Sequence, residues 1–268
     1  MLVFPNCKIN LGLHITSKRS DGFHTIESVF LPVGWVDMLE IVPAKENQFI
    51  VDGLNIACPL NENLCYKAYQ LLNLDFDLPP ISMYLYKKIP NGAGLGGGSS
   101  DAAFTLKMLN TMFSLGLSIV TLMRYAEKLG SDCSFFITNT PSLVSGRGEI
   151  LQPFHVNLQG YEIVIIKAPI SVSTAEAYKM VTPKAANYPI AEILKNDIST
   201  WCNTLKNDFE EPIFNKYPEL EQIKNLLYAK GALYATMSGS GSAIYGIFRE
   251  RIDFSQTFAD CLMWQGTL

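Results

Sequence analysis

One short stretch limits what this chain can be more than any other. Residues 89–103 read IPNGAGLGGGSSDAA, with five glycines between Gly92 and Gly98, then two serines, an aspartate and two alanines. Glycine loses the most conformational freedom on ordering, so such a cluster marks backbone that must approach something closely or turn where side chains forbid it. The flanks separate a slack connection from a shaped loop. Upstream, 81–89 alternates Ile81, Met83 and Leu85 against Ser82, Tyr84 and Tyr86, the period of a strand. Downstream, 99–110 sets Ala102, Ala103, Leu106 and Leu109 on one helical stripe. Strand, glycine loop and helix follow one another too tightly for a linker.

A loop of this kind suits an anion. Successive N–H groups can turn inward as a nest. A helix starting near Ser99 adds unpaired N–H groups and its positive end. Three phosphate-binding patterns nevertheless fail. A P-loop needs Lys and then Ser or Thr after its last glycine, whereas here Gly98 is followed by Ser99. The run from Gly92 to Gly97 satisfies GxGxxG, but position 117 is Leu117 where a dinucleotide fold wants an acid. Neither HRD nor DFG occurs, so a protein kinase is excluded. The residues alone leave phosphate binding beside a second reading, a glycine-rich turn with Ser99 or Ser100 as N-cap.

Elsewhere the patterns predict strands over 8–15, 25–31, 38–42, 49–51, 142–145 and 161–167, and helices over 62–72 and 118–129. The last third predicts helices over 174–180, 191–204, 218–229 and 254–263, with strands 232–237 and 243–248 on either side of SGSGS. This is a mixed α+β chain in two parts, divided near Gly160. A hydrophobic fraction of 48% over 268 residues is ample for a core. The net charge of -4, with no basic block, argues against nucleic acid or an anionic membrane as partner. No apolar run is long enough for a bilayer, and the start, MLVFPNCKINLGLHI, does not read as a leader. Six scattered cysteines without a CxxC pair, and only three histidines, speak for reduced thiols in a cytoplasm and against structural zinc.

Four stretches together carry a family resemblance. PNGAGLGGGSSDAA resembles the second signature of the GHMP small-molecule kinases, and Ser238-Gly239-Ser240-Gly241-Ser242 resembles their third. Lys8-Ile9-Asn10-Leu11 with the later RSDGFH (19–24), and GSDCSFF (130–136), are similar to one branch of that family. That branch phosphorylates a cytidine-diphosphate-linked methylerythritol in the non-mevalonate (MEP) route to isoprenoids. The resemblance runs in order over nearly the whole chain. It implies a two-lobed GHMP-kinase-like α+β fold, with an ATP-binding domain over 1–160, a C-terminal domain over 161–268 and the substrate between them. It also implies ATP-dependent phosphorylation of the acceptor's 2-hydroxyl, with Mg²⁺. A GHMP kinase for another small alcohol (homoserine or mevalonate type) and a non-catalytic nucleotide-binding module are the rivals.

The resemblance also assigns roles. Asp132 takes the hydroxyl proton, while Lys8 orients Asp132 and offsets charge on the transferred group. The ATP phosphates fall to Pro90, Asn91, Gly92, Ala93, Gly94, Leu95, Gly96, Gly97, Gly98, Ser99 and Ser100, and adenine to the neighbourhood of Asn63 and Leu64 and of residues 87–89. Phe23 and Tyr178 stack on the cytosine, His24 reads its edge, and Asn10 and Thr174 are polar contacts to the substrate. Read without it, Lys8 is an exposed strand residue, Asp132 a helix N-cap, His24 a structural histidine and Tyr178 a core aromatic. Phe23 stands where the family has tyrosine, Cys7 where it has alanine, and Ser131 and Ser134 where it has alanine and proline. No pattern sets the oligomeric state or the metal's protein ligands, for which Ser100 is one candidate.

Overall fold

The computed structural model describes residues 1–54, 58–254 and 257–268. They are α+β and form two compact units, each drawn from separate parts of the sequence. The first comprises Met1–Cys7, Trp35–Asn91 and Gly96–Thr140. Its sheet has the order Leu2–Val3, Met38–Pro43, Ile81–Lys87, Gln48–Gly53; the last pair is parallel and the others antiparallel. Ile81, Met83 and Leu85 form the buried side of their strand, as the alternation predicts, and Lys87, which the sequence does not mark as buried, continues that side. Helix Leu64–Phe76 makes the crossover between the two parallel strands. Asn63 caps it by accepting from the N–H of Cys65 (2.9 Å), and Asp77 ends it with φ +46°. Helices Gly97–Met112, Ile119–Leu129 and Cys133–Thr138 complete the unit.

The second unit holds Lys8–Gly34, Gly92–Leu95 and Pro141–Leu268. One of its sheets is ordered Asn6–Lys18, His24–Val36, Ser142–Ser145, Ile150–Pro153. The other is fully antiparallel, ordered Tyr234–Met237, Ala243–Phe248, Glu162–Lys167, Leu262–Thr267. Ala243–Phe248 is buried along its whole length, and this explains its unbroken apolar sequence. Helices Thr174–Met180, Glu210–Lys216 and Pro218–Ala229 are the longest of this unit.

Two of the predicted helices differ from expectation. The helix predicted over 191–204 is three short pieces, Ile190–Ile193, Ile198–Thr200 and Trp201–Thr204. Asp197 breaks it, because its carboxylate accepts from the N–H of Ser199 (2.9 Å) and starts a new turn. The helix predicted over 254–263 is replaced by the edge strand Leu262–Thr267; Ser255 and Gln256 lie outside the described residues. Phe254, Phe258 and Leu262 have helical spacing, but backbone pairing with Glu162–Lys167 prevails. Among the described residues no helix is long and apolar enough to cross a membrane.

Candidate active site

In the glycine loop, Gly92, Gly94 and Gly96 all take positive φ, at +60°, +73° and +70°. Positive φ at every second residue bends the backbone so that neighbouring N–H groups can turn to one side, as an anion nest requires. The carbonyls between them are occupied. Ala93 O accepts from the N–H of Ala243 (3.1 Å), Gly94 O from Ser238 Oγ (2.9 Å) and Leu95 O from the N–H of Lys8 (2.9 Å). Three consecutive acceptors are thus bound into the protein. Gly96 precedes helix Gly97–Met112, whose first turn has no side-chain cap. The alternative in which Ser99 or Ser100 caps the helix therefore does not apply. Ser100 lies inside the helix, fully buried, and its Oγ has no hydrogen-bond partner.

Within the first unit a buried ion triad supports this loop. Lys87 Nζ donates to Asp37 Oδ2 and, at 2.5 Å, to Asp101 Oδ2; all three side chains are almost wholly buried. The other oxygen of Asp37 accepts from the N–H groups of Lys88 (2.5 Å) and Ile89 (2.8 Å), pinning the segment that enters the loop. Burial pushes the Asp101 carboxyl up to about 7 despite the neighbouring ammonium, and the second carboxylate acts in the same direction. Lys87 holds its proton more tightly than an ordinary lysine, because the two carboxylates outweigh its burial. A Cβ added at Gly97 would lie 2.8 Å from Ile89 Cγ2 and 3.5 Å from Lys87 Nζ, so the helix starts directly on this triad. Leu64 lies beside the same turn, with its Cδ1 3.9 Å from where a Cβ on Gly98 would be. Asn63 borders an apolar pocket lined by Phe49, Val51, Tyr66, Met83 and Leu85.

Asp132 immediately precedes helix Cys133–Thr138 in a right-handed conformation (φ −81°, ψ −12°) and makes no capping hydrogen bond. Its expected local duty as an N-cap is thus absent. Ser134, standing where the family has proline, donates to Met123 O (3.3 Å) and ties this turn to helix Ile119–Leu129. The thiol of Cys133 is buried and pushed up to about 12, so it is inert as a nucleophile.

In the second unit Lys8 is not an exposed strand residue. It is 3% exposed; its Nζ donates to Asn10 Oδ1 (2.6 Å) and lies 4.4 Å from the centroid of the Phe30 ring. Asn10 Nδ2 donates to Ser28 Oγ (2.9 Å), which donates to Gly12 O (2.6 Å). This relay fixes the Asn10 amide with its oxygen toward Lys8. His24 stacks on Tyr178 (centroids 4.9 Å apart, rings 17° from parallel), and Tyr178 meets Phe209 edge-on. Burial, aided by Lys18, lowers the His24 pKa below its ordinary value. Phe23 stands apart from this stack, 52% exposed, with the Arg147 guanidinium 4.9 Å from its ring. Thr174 Oγ1 is 3.1 Å from Ser240 Oγ.

The sequence reading missed Asn207, Asp208 and Glu210. Asn207 Nδ2 donates to Met237 O and Gly239 O, both at 2.8 Å. Asp208 accepts from the N–H of Ile15 (2.8 Å), and Glu210 from Thr236 Oγ1 (2.8 Å) and the N–H of Met237 (2.9 Å). Their only sequence signal is a polar cluster, KNDFEE, between apolar runs.

Comparison with known proteins bears on this arrangement. The family model for the GHMP kinases N terminal domain matches residues 63–140, and that for GHMP kinases C terminal matches 190–256. A 4-diphosphocytidyl-2-C-methyl-D-erythritol kinase of Bacteroides fragilis is 46% identical over 267 residues, covering 96% of this chain and 97% of its own. One from Cytophaga hutchinsonii is 50% identical over 252 residues, covering 94% and 93%. Among solved structures, a 4-(cytidine 5'-diphospho)-2C-methyl-D-erythritol kinase matches with a TM-score of 0.84 at 31% identity, over 100% of this chain and 98% of that one.

Proposed function

Since the chain belongs to the GHMP kinases, and within them to the 4-diphosphocytidyl-2-C-methyl-D-erythritol kinases, we propose that it transfers the γ-phosphoryl group of ATP to the 2-hydroxyl of 4-diphosphocytidyl-2-C-methyl-D-erythritol, in the MEP route to isoprenoids. The observation that carries this reading is identity of 46% and 50% to kinases of that name over more than nine-tenths of the chain. The two family models fall on either side of Gly160, in keeping with an ATP-binding part over 1–160 and a second domain over 161–268. Free cysteines and a phosphorylated small-molecule substrate suit work in the cytoplasm.

Phosphoryl transfer is mostly positioning and charge stabilisation. Residues Pro90 to Ser100 cradle the ATP phosphates; with the carbonyls of Ala93, Gly94 and Leu95 bound into the protein, the loop's N–H groups serve the anion. Asn63 and Leu64 border the adenine. Asp132 accepts the proton of the attacking hydroxyl, and the Lys8 ammonium offsets charge on the moving group. Asn10, itself 1% exposed, serves the substrate by holding Lys8 in place. His24, kept neutral at pH 7 by its lowered pKa, offers one ring N–H and one lone pair to the cytosine edge. Phe23 and Tyr178 supply ring faces for the base, and Thr174 a hydroxyl.

Mg²⁺ suits these residues. Among the described residues no three His, Cys, Asp or Glu side chains form a cage, so the ion would rely largely on phosphate oxygens and water. Ser100 Oγ, buried and without a partner, is the side chain that would hold it. When bound, the ion neutralises charge on the phosphates.

The deciding measurement is ADP release with ATP and Mg²⁺, comparing the cytidine compound with homoserine, mevalonate and no acceptor. ADP only with the cytidine compound is the expected result. ADP from another alcohol would move the acceptor assignment, and none at all with ATP still bound would remove catalysis. A further expectation concerns Gly98, which is exposed and where an added Cβ would meet only Leu64 Cδ1 at 3.9 Å. The fold therefore accepts Gly98→Ala, and the helix should gain about 0.5–1 kcal/mol. The ligand should not accept it: KM for ATP rises about tenfold, the equivalent of ~1.4 kcal/mol, while Tm holds or rises. An unchanged KM would mean that nothing approaches the backbone there.

A further inference from the structure

The SGSGS turn is an unusual hairpin tip. Such tips are generally solvated, yet Ser238, Ser240 and Ser242 are 0%, 8% and 0% exposed. Each of their hydroxyls is engaged, and each with a different segment. Ser238 Oγ donates to Gly94 O (2.9 Å) in the glycine loop. Ser240 Oγ pairs with Thr174 Oγ1 (3.1 Å) at the start of helix Thr174–Met180. Ser242 Oγ donates to Ile170 O, in the segment leading to that helix. Contact with the loop leaves no slack, because a Cβ on Gly94 would lie 1.9 Å from Ser238 O. The turn's own position is set from behind by Asn207, 3% exposed, whose single amide nitrogen bonds Met237 O and Gly239 O while its oxygen accepts from the N–H of Phe209 (3.0 Å).

We propose that the 238–242 turn, anchored by Asn207, is a two-armed positioning element. Ser238 sets the glycine loop for ATP, and Ser240 sets Thr174 for the acceptor. All the contacts lie within the second unit. The inference rests on the reading above that the loop serves ATP and Thr174 the acceptor. It goes beyond that reading in making Asn207, Ser238 and Ser240 positioning residues whose effects separate by substrate. The two hydroxyls point to different partners, so either can be lost without disturbing the other's bond.

The test is steady-state kinetics with each substrate varied in turn, together with calorimetric binding of a non-hydrolysable ATP analogue in the absence of acceptor. Ser238→Ala should raise KM for ATP and weaken analogue binding about three- to tenfold, the effect of one neutral hydrogen bond, with KM for the acceptor nearly unchanged. Ser240→Ala should do the reverse and leave analogue binding intact. Asn207→Ala, which frees the whole turn, should raise both KM values and lower kcat; if it does not fold, the two serine variants still decide the matter. Equal effects of both serine variants on both substrates, or no effect of either, would overturn the proposal and leave an ordinary buried hairpin. If the wild-type protein released no ADP with the cytidine compound, the functional reading would fail instead. Analogue binding would then still test the first arm, since unaltered binding by Ser238→Ala would sink it.

Discussion

Asp132→Asn is expected to lower kcat by about 10²- to 10⁴-fold, the usual worth of a positioned base, with ATP binding essentially unchanged. The substitution is nearly isosteric, and the backbone at Asp132 is an ordinary right-handed one without a capping bond to lose. Cys133–Thr138 is buried over its first five residues, and Ser134 ties it to the neighbouring helix, so packing contributes to holding the turn. What asparagine cannot do is take a proton. The loss should therefore fall on kcat, not on KM for ATP. Turnover close to the wild-type rate would withdraw the base role from Asp132.

Asp37→Ala should be the most destabilising single change to the buried polar groups, by about 3–5 kcal/mol, read from urea or thermal unfolding at pH 7. Three groups lose their partner together. The Lys87 ammonium keeps only Asp101, and the N–H groups of Lys88 and Ile89 lose the oxygen they share. Set against a total stability of about 5–15 kcal/mol for a typical domain, this brings the chain close to unfolding. Asp37→Asn should cost less, because an amide oxygen still serves the backbone N–H groups while the charge is lost. Lys87 holds its proton more tightly folded than unfolded, so its contribution is complete below its ordinary 10.5 and fades only above that, as pH rises through the folded value. An assay at pH 7 thus reads all of it. A change under ~1 kcal/mol for Asp37→Ala would show the triad to be worth no more than surface pairs.

What the sequence disclosed and what it hid differ for a physical reason. The glycine loop and its following helix announce themselves locally, by a glycine cluster and by a helical stripe within a few residues of each other. The ion triad is not local: Asp37 and Lys87 are 50 positions apart and meet because Met38 pairs with Tyr86, one residue along each strand. Seen in the sequence, Lys87 is an ordinary lysine near the end of a strand. Asn207 is equally unreadable, since its partners at 237 and 239 are brought to it by folding of the whole unit. Tyr178 and His24 come from elements 154 positions apart, and only the resemblance to a family paired them. The tail shows the opposite error. Phe254, Phe258 and Leu262 mimic a helix, while the strand that forms needs little more than a free edge on Glu162–Lys167.

Interleaving of the two units reaches back to the making of the protein. A ribosome releases residues 8–34 early, but apart from Gly92–Leu95 the rest of their unit, Pro141–Leu268, emerges only after 35–140. At about 5–20 residues per second that interval is on the order of 5–20 s. Throughout it, the strands carrying Ile9, Leu11, Ile15, Val29 and Phe30, all destined for the core, lack the partners that will cover them. Greasy, β-prone nascent segments of this kind invite chaperone attention. The most vulnerable moment in this enzyme's life thus comes during translation, before it has any substrate to meet.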